Sequence, residues 1–294
     1  MHEHNFIIEV YCIVAEELKK ILGNTRLRTK GYRPKLSDEE VLTMELAGEY
    51  LSLSKDKQIW SYFKTHYKAW FPNLGTRETF IRQSANLHEL KNRMQKNLIE
   101  GMKANDEKMY IADSFPIPTH IKSRAYFGKN FKGYADYGYC ASKDLKYYGF
   151  KGMFIINSQG VVVDLDIAPA NTDDRAILKG FSMTNCILLG DKGFLCKDLK
   201  QDLESCDKVN LLTPSRKNAK KPNILPEWFY RARRSIETVI GQFTDRFNIQ
   251  RHGAKDLWHL MSRIYRKVLS HTICIIINRK TGNNLDISKI ITDF

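Results

Sequence analysis

The feature that most constrains the fold is a change of hydrophobic rhythm near residue 105. Before it, apolar residues recur at three- and four-residue steps, the spacing of amphipathic helices; after it, short apolar runs alternate with amphipathic segments. The runs "KMYIADSF" (108–115), "CILLGDKGF" (186–194) and "VNLLTP" (209–214) read as strands, and "FKGMFIINSQGVVVDLDIAPA" (150–170) as a hairpin turned at "NSQG". Among them, "TDDRAILKGF" (172–181), with Thr172 as its cap, "CKDLKQDLESC" (196–206) and "PEWFYRARRSIETVIGQFTDRF" (226–247) read as helices. "KDLWHLMSRIYRKVLSHTICIIINR" (255–279) is a further helix. This order predicts an α/β sheet with helices on its faces.

The region before the change is helical. "FIIEVYCIVAEELKKIL" (6–22) comes first, and "SDEEVLTMELAGEYLSL" (37–53) opens with a capping-box pattern, Ser37 with Glu40 three residues on. "SKDKQIWSYFKTHYKAWF" (54–71) follows, then "TRETFIRQSANLHELKNRMQKNLIEGM" (76–102), as two short helices or one bent one. With Arg77 and Arg82 on "TRETFIRQ", this cluster reads either as a helix-turn-helix DNA module or as a helical cap or dimerisation element. The expected division is a helical region over 1–105, an α/β domain over 106–280 and a tail over 281–294.

Composition narrows the partners. The 47 Lys+Arg against 33 Asp+Glu leave a net charge of +14, which favours a polyanion, either nucleic acid or an acidic membrane surface. The most apolar stretch, "ICIIIN" (273–278), is far shorter than the roughly 18 residues of a membrane span, so no membrane partner is expected. The start lacks a basic region ahead of its apolar segment, and the six cysteines form no CxxC pair. Both features suit a cytoplasmic protein with reduced thiols.

Two of the strands end in an acid beside a small residue: Ala112-Asp113-Ser114 and Gly190-Asp191-Lys192. The carboxyl ends of strands are where open α/β sheets keep their sites. A carboxylate there is costly unless paired or bound to a cation, and two on neighbouring strands repel until a divalent metal relieves them. On the helix over 226–247, steps of three, four and seven place Tyr230, Arg233, Glu237 and Thr244 on one face, while Ile236, Val239, Ile240, Phe243 and Phe247 gather on another. Glu237 is therefore either a solvated ion pair with Arg233 and Arg234 or a metal ligand. The two strand-end aspartates favour the ligand.

Other acids have blander readings. Asp164 and Asp166 share one face of the hairpin, expected to be exposed, Asp173 and Asp174 sit where helix-capping acids belong, and Asp136 and Asp144 fall in a loop. His120 is a candidate DNA or metal neighbour. The segment 119–151 alternates Lys and Arg with Tyr and Phe, either as a DNA-contacting insertion, with Lys122, Arg124, Lys129 and Lys132, or as a loop whose rings pack back on the core. A second basic run, "SRKNAKK" (215–221), offers Arg216 and Lys217 to backbone phosphates.

Taken together, "IADSFPIP", "LLGDKGF" and "YRARRSIETVI" resemble the three acid motifs of insertion-sequence transposases of the DDE class, in particular the group written in words as IS-nine-eight-two. The resemblance covers about residues 105–280. It implies an RNase H-like mixed sheet flanked by helices, as in retroviral integrases, preceded by an all-helical DNA-binding region. It also implies that Asp113, Asp191 and Glu237 hold two Mg2+ ions, or Mn2+ in their place, with Asp113 shared. The implied activity is metal-dependent strand cleavage at element ends, then transfer of the freed 3′-hydroxyl into target DNA. The partners would be terminal inverted repeats and target DNA, bound by a dimer or larger assembly in a bacterial nucleoid. Tyr230, Arg233, Arg234 and Lys192 would contact DNA. Thr244 stands where the family motif has a lysine, and Arg246 is the expected substitute. Two other readings share these residues: a DNA-binding relative that does not cut, and an RNase H-like nuclease without strand transfer.

Overall fold

A computed structural model describes residues 1–25, 27–28, 31–216, 219, 223–280, 282, 287 and 290. The change of rhythm near residue 105 becomes a change of architecture. The chain forms two compact units, one from residues 1–101 with 243–294 and the other from residues 102–242.

The first unit is helical: α1 (Glu3–Leu22), α2 (Asp38–Tyr50), α3 (Asp56–His66), α4 (Arg77–Asn86), α5 (His88–Gly101) and the last helix, α10 (Leu257–Lys280). The capping box forms as expected: Ser37 Oγ accepts from the Glu40 amide at 3.1 Å, and Glu40 Oε2 accepts from the Ser37 amide at 2.7 Å. The segment 76–102 is two helices that break at Leu87. Every residue of α2 from Val41 to Tyr50 is buried, Glu45 and Glu49 included, so these carboxylates need charged partners inside the protein. Lys91 on α5 and Arg266 and Lys267 on α10, all fully buried, supply them. This is why α10 packs chiefly on α5 and α2, and the division differs here from the expected one, which had assigned this helix to the α/β domain.

The second unit holds six strands: β1 (Met109–Ile121), β2 (Asp136–Cys140), β3 (Leu145–Asn157), β4 (Val162–Pro169), β5 (Ile187–Leu189) and β6 (Asn210–Leu212). Its helices are α6 (Lys122–Ala125), α7 (Asp174–Leu178), α8 (Lys197–Asp207) and most of α9 (Glu227–Asp245). The long β3 pairs antiparallel with β1 along its length, with β2 through its first residues and with β4 through its last. On the other side β1 runs parallel to β5, and β5 parallel to β6. With β2 set aside, the order β4-β3-β1-β5-β6 is that of the RNase H-like fold.

The hairpin turns at "NSQG" because Asn157 organises it: its Oδ1 accepts from the amides of Gln159 and Val161, both at 3.0 Å, while Gly160 takes a φ of +75°. Alternation along β1 and β3 then builds two faces. Tyr110, Ala112, Met153 and Ile155 pack with Ile177 and Leu178 of α7 and with Leu199 and Leu203 of α8. Phe115 and Phe154 lie on the opposite face, their rings 4.5 Å apart. On α9, Ile236 and Val239 are buried, and a Cβ at Gly160 would stand 3.3 Å from Val239 Cγ2.

Three expectations need correction. The cap of α7 is Asp173, whose Oδ1 accepts from the Arg175 amide at 2.9 Å; the Thr172 carbonyl instead accepts from Lys151 Nζ. The segment 119–151 is no loop, since it contains the end of β1, α6, all of β2 and the start of β3. Asp136 accordingly lies in β2, while Asp144 stands in a left-handed turn and accepts from Tyr139 Oη at 2.9 Å. Of that segment's rings, Phe131, Tyr147 and Phe150 are buried, whereas Tyr126, Phe127, Tyr134, Tyr137 and Tyr139 are exposed. Asp164 and Asp166 are exposed on β4. Among the described residues no helix is long and apolar enough to cross a membrane.

Candidate active site

The parallel pairing of β1 with β5 stops at Ile111 and Leu189, although β1 continues. Asp113 and Asp191 each follow two residues later, so the two carboxylates stand side by side where β1 loses its neighbour. Asp113 Oδ1 accepts from the Ser114 amide at 2.8 Å. Asp191 caps the short turn Lys192–Phe194, its Oδ1 accepting from the Gly193 amide at 2.6 Å. A Cβ at residue 193 would lie 2.8 Å from that same oxygen, so glycine is what allows the carboxylate to fold over the turn.

Burial foremost, then the charge of Asp191 and a smaller push from Asp174, raise the Asp113 carboxyl to about 7. The Ser114 amide and the Arg233 guanidinium oppose the rise without cancelling it. A partly buried acid held beside a second acid is a ready place for a divalent cation, which would offset both the burial and the repulsion. Hard carboxylate oxygens suit Mg2+ or Mn2+, so these two residues fit the ion.

Glu237 is placed differently. It is exposed on α9, and Arg233 Nη2 donates to its Oε1 at 2.6 Å, one helical turn away. An open groove of about 740 Å³ is lined by Lys192, Arg216, Tyr230, Arg233, Arg234 and Glu237, among others. Lys192 directly follows Asp191, so the second aspartate's turn and the basic face of α9 open onto one groove. Among the described residues, no three acids, histidines or cysteines are gathered closely enough to hold a metal. In this structure Glu237 is committed to Arg233.

The remaining candidates lie elsewhere. Arg246 lies beyond the end of α9 in the helical unit, where its guanidinium sits 4.5 Å over the Tyr50 ring and donates to the Tyr50 carbonyl at 3.0 Å. The cations lining the groove are Lys192, Arg216, Arg233 and Arg234. Lys122 and Arg124 on α6, with Lys129 and Lys132 after it, are exposed near the uncovered rings of Tyr126 and Phe127. Arg77 pairs with Glu78 at 2.7 Å, and Arg82 is exposed on α4. Lys217 lies outside the described residues. His120 packs its ring toward Tyr148 and stands 3.1 Å from Thr119 Oγ1.

One acid beside the site was read from sequence only as a cap. Asp174 accepts from Ser114 Oγ at 3.0 Å and pairs with Lys151 Nζ at 2.7 Å. The signal available in "TDD" was that a helix needs one capping acid and has two.

The RNase H-like sheet thus carries Asp113 within β1 and Asp191 just past β5, where the parallel pairing of the two strands stops, and Lys192 beside Asp191 lines a cationic groove. The transposase DDE domain matches residues 103–255, more than half of the chain, and the chain belongs to that family. The match spans the α/β unit and stops before α10. No curated protein and no solved structure matches the chain. The protein is thus a transposase of the DDE class, and DNA is the substrate such a domain implies.

Proposed function

We propose that this enzyme cleaves one strand at each end of its own mobile element and joins the freed 3′-hydroxyl to target DNA, using Asp113, Asp191 and Glu237. The observation that carries this reading is the side-by-side placement of Asp113 and Asp191 where β1 and β5 stop pairing, with Lys192, next in the chain to Asp191, lining a groove together with Arg216, Arg233, Arg234 and Glu237. When bound, a pair of Mg2+ or Mn2+ ions would supply an activated attacking oxygen and a stabilised leaving oxygen.

The chain's own groups do the rest. Lys192, Arg216 and Arg234 hold backbone phosphates and set the strand across the groove. Arg233 prefers a phosphate it can grip with two parallel N–H bonds, and DNA binding draws it from Glu237. That exchange frees Glu237 to turn toward Asp113 and Asp191 and serve as the third carboxylate. Tyr230, half-exposed on the same face, stacks or hydrogen-bonds at the scissile position. The exposed rings and lysines over 122–139 add contacts to flanking DNA, and Arg77 and Arg82 on α4 serve recognition of the terminal repeats. Two ends must be joined, so the working species is a dimer or larger assembly on DNA. The narrower IS-nine-eight-two placement rests on "IADSFPIP" and "LLGDKGF".

A second reading has one observation in its favour: the Arg233–Glu237 pair is what a DNA-holding relative that does not cut would keep. Both are tested with a labelled duplex carrying the element's ends, incubated with Mg2+ or Mn2+ and either the wild type or Asp191→Asn. Metal-dependent nicking lost in the variant, with DNA binding retained, is the expected result. Tight binding without cleavage by either protein would select the second reading.

A further inference from the structure

The paired aspartates are supported from behind. Successive residues of a strand point to opposite faces, so Asp113 turns toward the α9 side, where Arg233 acts on it, and Ser114 toward the α7 side, where Ala112 and Met153 lie. Register carries this across to β3: Ser114 stands opposite Met153, and Lys151, two residues before Met153, therefore shares the α7 side. On that side both meet one acid. Asp174, the first residue of α7, takes the Ser114 hydroxyl on Oδ2 at 3.0 Å and the Lys151 ammonium on Oδ1 at 2.7 Å. Lys151 is itself fixed, donating to the Thr172 carbonyl at 2.7 Å. A Cβ on Gly193 would be 3.7 Å from Asp174 Oδ2, so this carboxylate also lies beside the turn that carries Asp191.

We infer that Asp174, pinned by Lys151 and Ser114, is a positioning residue that holds the β1 end bearing Asp113 in fixed relation to the turn bearing Asp191. The inference rests on the reading of those two aspartates as the metal-holding pair. Asp174 touches β1, β3 and the neighbourhood of the Asp191 turn at once, and capping does not account for it, since Asp173 caps α7. Its own charge, beside two other acids, is compensated by Lys151, which makes it a fixed strut and leaves the open carboxylates to Asp113 and Asp191. Groups that orient metal ligands in this way are worth about 10- to 100-fold in metal affinity or activity.

The test measures Mn2+ binding to the full-length protein, by the loss of the free-ion paramagnetic resonance signal, alongside the melting temperature. Lys151→Met with Asp174→Ala removes the strut without leaving an unpaired charge. Ser114→Ala, a smaller change, removes one of its two contacts. Asp191→Asn is the control. The expected result is abolished binding in Asp191→Asn, a loss of about 10-fold in the double variant and a smaller loss in Ser114→Ala, at melting temperatures close to wild type. Mn2+ binding unaffected by Asp191→Asn would sink the underlying site reading. Binding abolished by Asp191→Asn but unchanged in the double variant would overturn the role of Asp174 alone. If the double variant does not fold, Ser114→Ala decides, and wild-type affinity there overturns the inference.

Discussion

Asp113 and Asp191 occupy matching positions on two parallel strands, each two residues past the last hydrogen-bonded pair, Ile111 with Leu189. Burial and, after it, the charge of Asp191 raise the Asp113 carboxyl to about 7 from an ordinary value of 3.8. The folded protein thus keeps a proton on this group that the unfolded chain has released. The stability linked to that proton is whole below pH 3.8 and is lost as pH rises through about 7. Asp191→Asn removes the neighbouring charge. In chelator the variant should melt higher than wild type at pH 8, the difference shrinking toward pH 4 in paired thermal scans. A difference independent of pH would show that the two carboxylates do not interact.

The groove and the helical unit use arginine in different ways. Arg216→Ala and Arg234→Ala should weaken duplex binding whatever the sequence, each lowering the slope of log affinity against log salt by about 0.9. Arg246→Ala should leave that slope alone and lower the melting temperature, because its guanidinium is spent on Tyr50. Salt-dependent fluorescence anisotropy with the three variants separates these outcomes.

Arg266 is fully buried and bonded to three acids: Glu45 at 3.0 Å, Glu49 at 2.6 Å and Asp56 at 2.7 Å. Arg266→Met fills the space and strands the acids. A cost of about 3–5 kcal/mol is expected, as when one partner of a buried ion pair is removed. Calorimetry should register it as a large fall in melting temperature, and a variant as stable as wild type would mean that Lys91, Arg263 and Lys267 suffice.

His271 lies between the rings of Phe243 and Phe247, at 4.7 and 5.9 Å, and burial pushes it down to about 3 from 6.5. The folded state holds it neutral where an unfolded histidine would take a proton. Its contribution is present above pH 6.5 and is lost as pH falls toward 3. Between pH 7 and 4.5 the wild type should therefore lose more thermal stability than His271→Asn. Parallel losses in the two proteins would remove His271 as the cause.

Much of the site was legible because its chemistry is written locally. The apolar run before Asp191 does mark the end of β5, whereas β1 runs on past Asp113 to Ile121, and Ser37 with Glu40 marks a helix start. What could not be read depended on partners distant in sequence. The spacing along 255–279 gives a helix but does not say that Arg266 and Lys267 point inward to meet Glu45 and Glu49, which is what assigns it to the helical unit. Asp174 looks like a capping acid until β1 and β3 bring Ser114 and Lys151 to it. Arg246 seemed well placed by counting from Glu237, but α9 ends at Asp245 and the next side chain turns to Tyr50.

The helical unit is assembled from both ends of the chain, residues 1–101 and 243–294, with the α/β unit spliced between them. During synthesis its first five helices leave the ribosome long before α10, the helix that neutralises Glu45 and Glu49. Until then Glu49 lacks both of its buried cations and α2 lacks one of the helices packed on it, while the α/β unit already has each of its described strands. A copy of the gene truncated before residue 257 would thus make a complete catalytic sheet attached to an unfinished bundle. Such a product invites chaperones and proteases even where Asp113, Asp191 and Glu237 are all present.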